Sequence, residues 1–100
     1  MESRREESDQ AVTMVVDGVL DLHTFQPGDI KRLIPEYIRL CREQGIHEVR
    51  IIHGKGKGVL RRLVHAALDR ESGVRAYRLA GEAGGSWGAT LVDLHPAEKG

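Results

Sequence analysis

The 100-residue sequence is poor in aromatic side chains and cysteine, has no long apolar run, and carries no net charge. Each shortage excludes something. With four aromatic residues, Phe25, Tyr37, Tyr77 and Trp87, the core must rest on Leu, Ile, Val and Ala. A single cysteine, Cys41, rules out an internal disulfide, and there is no Cys cluster to hold zinc. Such usage fits the reducing cytoplasm. No stretch approaches the roughly 20 apolar residues that cross a bilayer, and the charged start MESRREESDQ lacks the apolar segment of a secretion signal. A cytoplasmic protein without membrane contact is expected. The length admits one domain and one core. Fifteen Lys and Arg balance fifteen Asp and Glu, which at first sight argues against a polyanionic partner.

Residues 1–11 read as a disordered charged tail, since the first ten carry six charges and one apolar side chain, Met1. The folded domain is expected over 12–96, with a short tail at 97–100. VTMVV at 12–16 alternates as an optional edge strand would, Asp17-Gly18 signals a turn, and Val19 to His23 reads as a strand. Ile30, Leu33, Ile34, Tyr37, Ile38 and Cys41 recur at helical spacing and predict a buried stripe over 30–41, with Gly45 as its cap. Pro35 falls inside that pattern and predicts a kink. Glu48 to His53 reads as a strand. Val59 to Glu71 reads as a helix burying Val59, Leu60, Leu63, Val64, Ala67 and Leu68, and strands follow at 74–80 and 89–94. Right-handed crossovers predict parallel pairing for the first strands and antiparallel pairing for the last two. The expected fold is an α/β (α+β) two-layer sandwich, β-α-β-α-β-β, with a mixed four-stranded sheet and two helices.

The segment HGKGKG, 53–58, joins a strand end to a helix start. Gly54, Gly56 and Gly58 let the backbone approach a ligand and adopt positive φ angles, the helix N-terminus favours an anion, and Lys55 and Lys57 add positive charge. A Walker A loop needs different spacing, and Val59 stands where the dinucleotide fingerprint needs its third Gly. The loop reads as a phosphate site; a merely tight turn is the plainer alternative. Arg61 and Arg62 on the following helix extend the basic edge.

In a strand, Asp21 and His23 share a face opposite Leu20 and Leu22. The pair could orient a general base, or it could be a local hydrogen-bonding pair near a turn. Neighbouring parallel strands open onto one edge, which places this pair beside the glycine loop. His53, at its strand end, could contact phosphate or be internally satisfied, and it ranks below His23. His65 reads as exposed, and Cys41 reads as core. In GGSWGAT, Trp87 could stack on a base or cover a core edge.

Taken in order, DLHT, IIHGKGKGVLR and GGSWGATLVDL resemble the Smr (small MutS-related) domain over residues 19–94. The resemblance implies a fold like the C-terminal domain of translation initiation factor 3. It also implies nucleic-acid binding and, in several members, endonuclease activity that nicks DNA or cleaves RNA, including messenger RNA on stalled ribosomes. The family's DLHG motif falls on Asp21, Leu22 and His23, and its Gly-Lys/Arg-Gly loop falls on Gly54, Lys55 and Gly56. Thr24 departs from the family's Gly.

The expected function is therefore binding of RNA or DNA with phosphodiester cleavage. Asp21, His23 and Lys55 are the catalytic candidates, and His53, Gly54, Lys55, Gly56, Lys57, Gly58, Arg61, Arg62 and Trp87 the phosphate- and nucleic-acid-binding ones. No cofactor is required in this reading. A divalent metal (Mg or Mn) would want more acidic ligands than Asp21, and Asp93 is the one further candidate. The alternative is a non-catalytic nucleic-acid- or ribosome-binding module, and a monomer is expected. The zero charge conceals a segregation that suits either reading. Between Val49 and Leu68 there are five basic residues and no acidic one, so the other 80 residues sum to −5.

Overall fold

The computed structural model describes residues 15–55, 58–81 and 88–97. The expected tail at 1–11, most of the expected edge strand at 12–16, and residues 98–100 lie outside them. Val15 and Val16 are described and have irregular backbone, so they form no strand.

The elements are β1 (Val19–Asp21), a 3₁₀ turn (Pro27–Asp29), α1 (Ile30–Glu43), β2 (Glu48–Ile52), α2 (Val59–Asp69), β3 (Val74–Leu79) and β4 (Ala89–Leu94). They form one four-stranded mixed sheet in the order β1-β2-β4-β3. β1 pairs parallel with β2, setting Val19 against Arg50 and Asp21 against Ile52. β4 runs antiparallel to both neighbours, Ile52 facing Ala89 on one side and Leu79 facing Thr90 on the other.

Two sequence expectations change here. β2 and β3 point the same way but are not neighbours, because β4 inserts between them. The inserted strand completes ladders on both sides and buries Ala89, Thr90, Val92 and Leu94. β1 also ends at Asp21, so Leu22 and His23 belong to the turn that follows, where the Leu22 N–H still donates to the Ile52 carbonyl at 2.9 Å.

α1 buries Ile30, Ile34, Tyr37, Ile38 and Cys41 as the spacing predicts. They meet Leu20, Val49, Ile51, Val92 and Leu94 from the sheet and Val64 and Leu68 from α2 in a single core. α1 ends in a glycine cap. Gly45, at φ +79°, donates to the Arg42 carbonyl at 3.1 Å, and Ile46 donates to Cys41 at 2.8 Å. The helix is continuous through Pro35, an exposed position, although the proline lacks the N–H that would bond the Lys31 carbonyl. Tyr37 is fully buried, yet its hydroxyl accepts from the Gly18 N–H at 3.1 Å and donates to the Val19 carbonyl at 3.3 Å. One side chain thus ties the start of β1 to α1 and satisfies a buried polar group.

α2 is shorter and less buried than the sequence predicts. It stops at Asp69, and Val59 and Leu63 stay 45% and 38% exposed because the second layer contacts only the Leu60, Val64, Ala67, Leu68 stripe closely.

Candidate functional site

The carboxyl ends of β1 and β2, the start of β4 and the N-termini of both helices meet at one edge of the sheet. This is the edge where ligands settle in α/β sheets. Asp21 and Ile52 are in register there, so the turn carrying His23 and the loop carrying Gly54 and Lys55 leave adjacent strands.

Asp21 organises its own turn. One carboxylate oxygen accepts the His23 backbone N–H at 3.0 Å and sits 2.9 Å from His23 Nδ1. These bonds, the backbone one foremost, hold the Asp21 carboxyl below its ordinary range. Because a carboxylate only accepts, the neutral imidazole places its proton on Nδ1 and turns Nε2 outward as a base. The His23 side chain is 75% exposed, so Nε2 is reachable from solvent. Asp21 and His23 do point together, although His23 lies in the turn and not in the strand, and the two bonds make them a local hydrogen-bonding pair.

The glycine loop is anchored at its first end. The N–H groups of His53 and Gly54 both donate to the Gly88 carbonyl, at 2.9 and 2.8 Å, so neither is offered to a ligand. Gly54 and Gly58 take φ +85°, a conformation that strongly favours glycine, while Gly56 and Lys57 lie outside the described residues. A Cβ at Gly58 would stand 2.8 Å from Arg61 Nη2 and 3.4 Å from Arg62 Nη1, which shows that both guanidinium groups fold back over the start of α2. No acidic residue occupies the first turn of that helix, and among the described residues neither arginine has an acidic partner. Two cations on the positive end of a helix dipole repel the helix unless an anion joins them. Lys55 is exposed in the loop that leads to this helix.

His53 is not an open phosphate ligand. It is 7% exposed, its Nε2 lies 2.8 Å from Thr90 Oγ1, and its Nδ1 lies 3.1 Å from the Gly54 carbonyl oxygen. His65, expected to be exposed, is half-buried with Nε2 2.8 Å from the same Thr90 oxygen. Its ring packs against Tyr77 at 4.8 Å, and the Tyr77 hydroxyl donates to Asp69 at 2.6 Å. Burial pushes both imidazoles below their ordinary range, and the nearby Arg61 charge adds to the effect. Thr90 and His65 are the site-edge residues that motif reading misses. A signal existed in parity. Thr90 shares the inward face of its strand with Val92 and Leu94, and a polar residue there needs a partner.

Asp93 pairs with Glu48 at the opposite end of the sheet, so it cannot join Asp21 around one ion. Among the described residues, no group of three or more His, Cys, Asp or Glu side chains is placed to hold a metal. Cys41 is buried and its thiol is pushed up by burial, as a core residue's would be. Trp87 lies outside the described residues. No helix among the described residues is long and apolar enough to cross a membrane.

Comparison with known proteins adds a family pattern to this geometry. A family model described as the Smr domain matches residues 20–95. The chain is 40% identical over 75 residues to Endonuclease MutS2 of Brevibacillus brevis, and 48% identical over 75 residues to that of Clostridium novyi. These alignments cover 75% of this chain but only 10% of each relative, so the chain spans about a tenth of their length. Among solved structures, the Smr domain of Thermus thermophilus MutS2 superposes with a TM-score of 0.74 at 29% identity, covering 80% of this chain and all of that one. YdaL, a stand-alone small MutS-related protein from Escherichia coli, gives 0.70 at 28% identity, covering 77% of this chain and 63% of its own.

Proposed function

This chain belongs to the Smr domain family, and from that premise we propose that it binds nucleic acid and cleaves phosphodiester bonds as an endonuclease domain, with RNA the substrate its site suits best. The observation that carries the reading is the solvent-facing Nε2 of a histidine held by Asp21, on the strand end adjacent to the loop that carries Lys55. Cleavage of RNA needs a base to take the 2′-OH proton and positive charge to receive the developing phosphorane. His23 Nε2 takes the proton, the 2′-oxygen bonds to phosphorus, and the bond to the 5′-oxygen breaks as that oxygen regains a proton. Asp21 holds the imidazole by Nδ1 and stabilises it when charged. Lys55, Arg61 and Arg62 bind the phosphate and its neighbours along the strand. The similarity to proteins named Endonuclease MutS2 supports the same reaction class.

Thr24, in place of the family Gly, favours a second reading, a non-catalytic nucleic-acid- or ribosome-binding module. No described non-glycine residue has positive φ, so Thr24 sits in its turn without backbone strain, and any effect on cleavage would come from the space it occupies. We take the domain to act in the cytoplasm as a monomer, with no cofactor assigned to the reaction.

The deciding experiment incubates the protein, Asp21→Ala and His23→Ala with labelled single-stranded RNA, stem-loop RNA and duplex DNA, with and without chelator. Expected is cleavage of RNA by the unmodified protein that survives chelation and is lost in His23→Ala with binding retained. Binding without cleavage in every arm selects the module. Cleavage undiminished in His23→Ala removes the histidine from the mechanism. Loss with chelator alone replaces the metal-free scheme.

A further inference from the structure

The Thr90 hydroxyl lies between two imidazole nitrogens, and proton bookkeeping gives the chain a single direction. The Gly54 carbonyl can only accept, so the neutral His53 ring carries its proton on Nδ1 and donates it there. His53 Nε2 is then an acceptor and takes the one proton of the Thr90 hydroxyl. That oxygen has no second proton, so His65 must donate to it from Nε2. The order is His65 to Thr90 to His53 to the Gly54 carbonyl, with one donor and one acceptor at each joint. The chain links α2, β4, β2 and the glycine loop.

Its end point matters because of peptide planarity. In a trans peptide the carbonyl and the following N–H point in opposite directions. Drawing the Gly54 oxygen inward onto His53 therefore turns the Lys55 N–H outward, away from the buried ring. It is the first loop amide so placed, since the His53 and Gly54 N–H groups are spent on Gly88. Gly54, at φ +85° with nothing within 4 Å of a would-be Cβ, is free enough for this peptide to flip if the carbonyl is released. We propose that His65 and Thr90 are positioning residues that act through His53 to hold the Gly54–Lys55 peptide with its N–H presented to a phosphate. This deepens the phosphate-loop reading above and rests on it.

The groups packed around the chain agree with a neutral, directed arrangement. Arg61 on α2 opposes protonation of either ring, Asp69 on the same helix favours it at His65 but is engaged by the Tyr77 hydroxyl from β3, and the two rings stand edge to face with centroids 6.1 Å apart. A second positive charge in this space would be repelled by the first.

The test reads the free protein and its phosphate binding separately. Long-range proton–nitrogen NMR on the unmodified protein should find His53 protonated at Nδ1 and His65 at Nε2. The opposite tautomer at either ring overturns the proposal. Thr90→Val and His65→Leu should shift the Lys55 amide and Gly54 carbonyl resonances and weaken binding of inorganic phosphate and of single-stranded RNA by about tenfold, the effect of one lost amide donor to an anion. Because no cation is removed, the salt dependence of RNA binding should keep the unmodified slope. Thr90→Ser keeps a hydroxyl and His65→Gln keeps a donor near Nε2, so both should bind within about twofold of the parent. Affinity unchanged in Thr90→Val and His65→Leu, or equally lost in all four variants, overturns the chain. If Thr90→Val does not fold, the half-buried His65 pair carries the comparison. If the unmodified protein binds neither phosphate nor RNA, the phosphate-loop reading fails. The chain is then decided on the free protein, by whether its tautomers are as stated and the Lys55 amide responds to His65→Leu.

Discussion

His23 and His53 follow adjacent parallel strands at the same edge of the sheet and have opposite surroundings. His23 projects into water, with one ring nitrogen held by an exposed carboxylate and the other open. His53 is enclosed, and both of its nitrogens are committed within the protein. The difference lies in solvation. An exposed imidazole can exchange protons with a substrate, whereas a buried one with two partners is fixed in tautomer and orientation and can only hold something else in place. The edge thus carries one open imidazole and one fully committed imidazole.

The sharpest way to break this comparison is to remove each group in turn. His23→Ala should lower RNA cleavage by about 100-fold or more, the usual worth of a general base, and shift unfolding stability by less than about 0.5 kcal/mol, as measured by urea denaturation. Thr90→Val should do the reverse in kind. It strands two imidazoles in a buried site and should cost about 1–3 kcal/mol of stability. A Thr90→Val protein as stable as the parent would mean the chain is not a structural unit.

Charge sharpens the comparison further. Lys55→Ala should reduce the slope of log binding constant against log salt by about 1, whereas Thr90→Val should leave it unchanged. A slope untouched by Lys55→Ala would show that Lys55 does not meet the backbone.

Smaller effects follow from pH. His53 and His65 are held below the ordinary imidazole value of 6.5 in the folded state. Above that value both are neutral in folded and unfolded chains alike. As pH falls below it, the unfolded chain takes up protons that the folded one refuses, so stability falls on acidification. Melting temperatures between pH 7.5 and 5 should show this decline, and His65→Gln should flatten part of it. Asp21 is also lowered, from 3.8, so its contribution is present above that value and disappears only in strong acid, after the imidazole step. Smallest of all, Thr24→Gly should leave stability nearly unchanged, since Thr24 is exposed and unstrained. Assayed beside the parent, it reads only the space that Thr24 takes from substrate.

Most of the edge was legible in the order of residues. Alternation in Leu20-Asp21-Leu22-His23 announced the pair, and the spacing from Ile30 to Cys41 announced the helix that brings the next strand back parallel. The glycines of the loop announced left-handed backbone that Gly54 and Gly58 do adopt. His65 is half-buried and not exposed as expected, because position on a helix does not tell how closely a strand approaches it. Val59 and Leu63 were placed in the core for the same reason, yet the second layer does not reach them. The insertion of β4 between β2 and β3 was likewise invisible. Two antiparallel strands joined by a loop can add at an edge or enter a gap, and local pattern is the same in both.

The sequence by itself therefore determined the elements, the positive window around the glycine loop and the Asp21–His23 pair, because each depends on residues within a few positions of one another. The tertiary structure alone decided that Thr90 would stand between His53 and His65. Those three residues come from a strand, the loop after a second strand and a helix, and their meeting depends on the sheet order β1-β2-β4-β3 and on the depth to which α2 packs. A hydrogen bond is fixed by tenths of an ångström across elements, whereas local periodicity fixes only which way a side chain sets out.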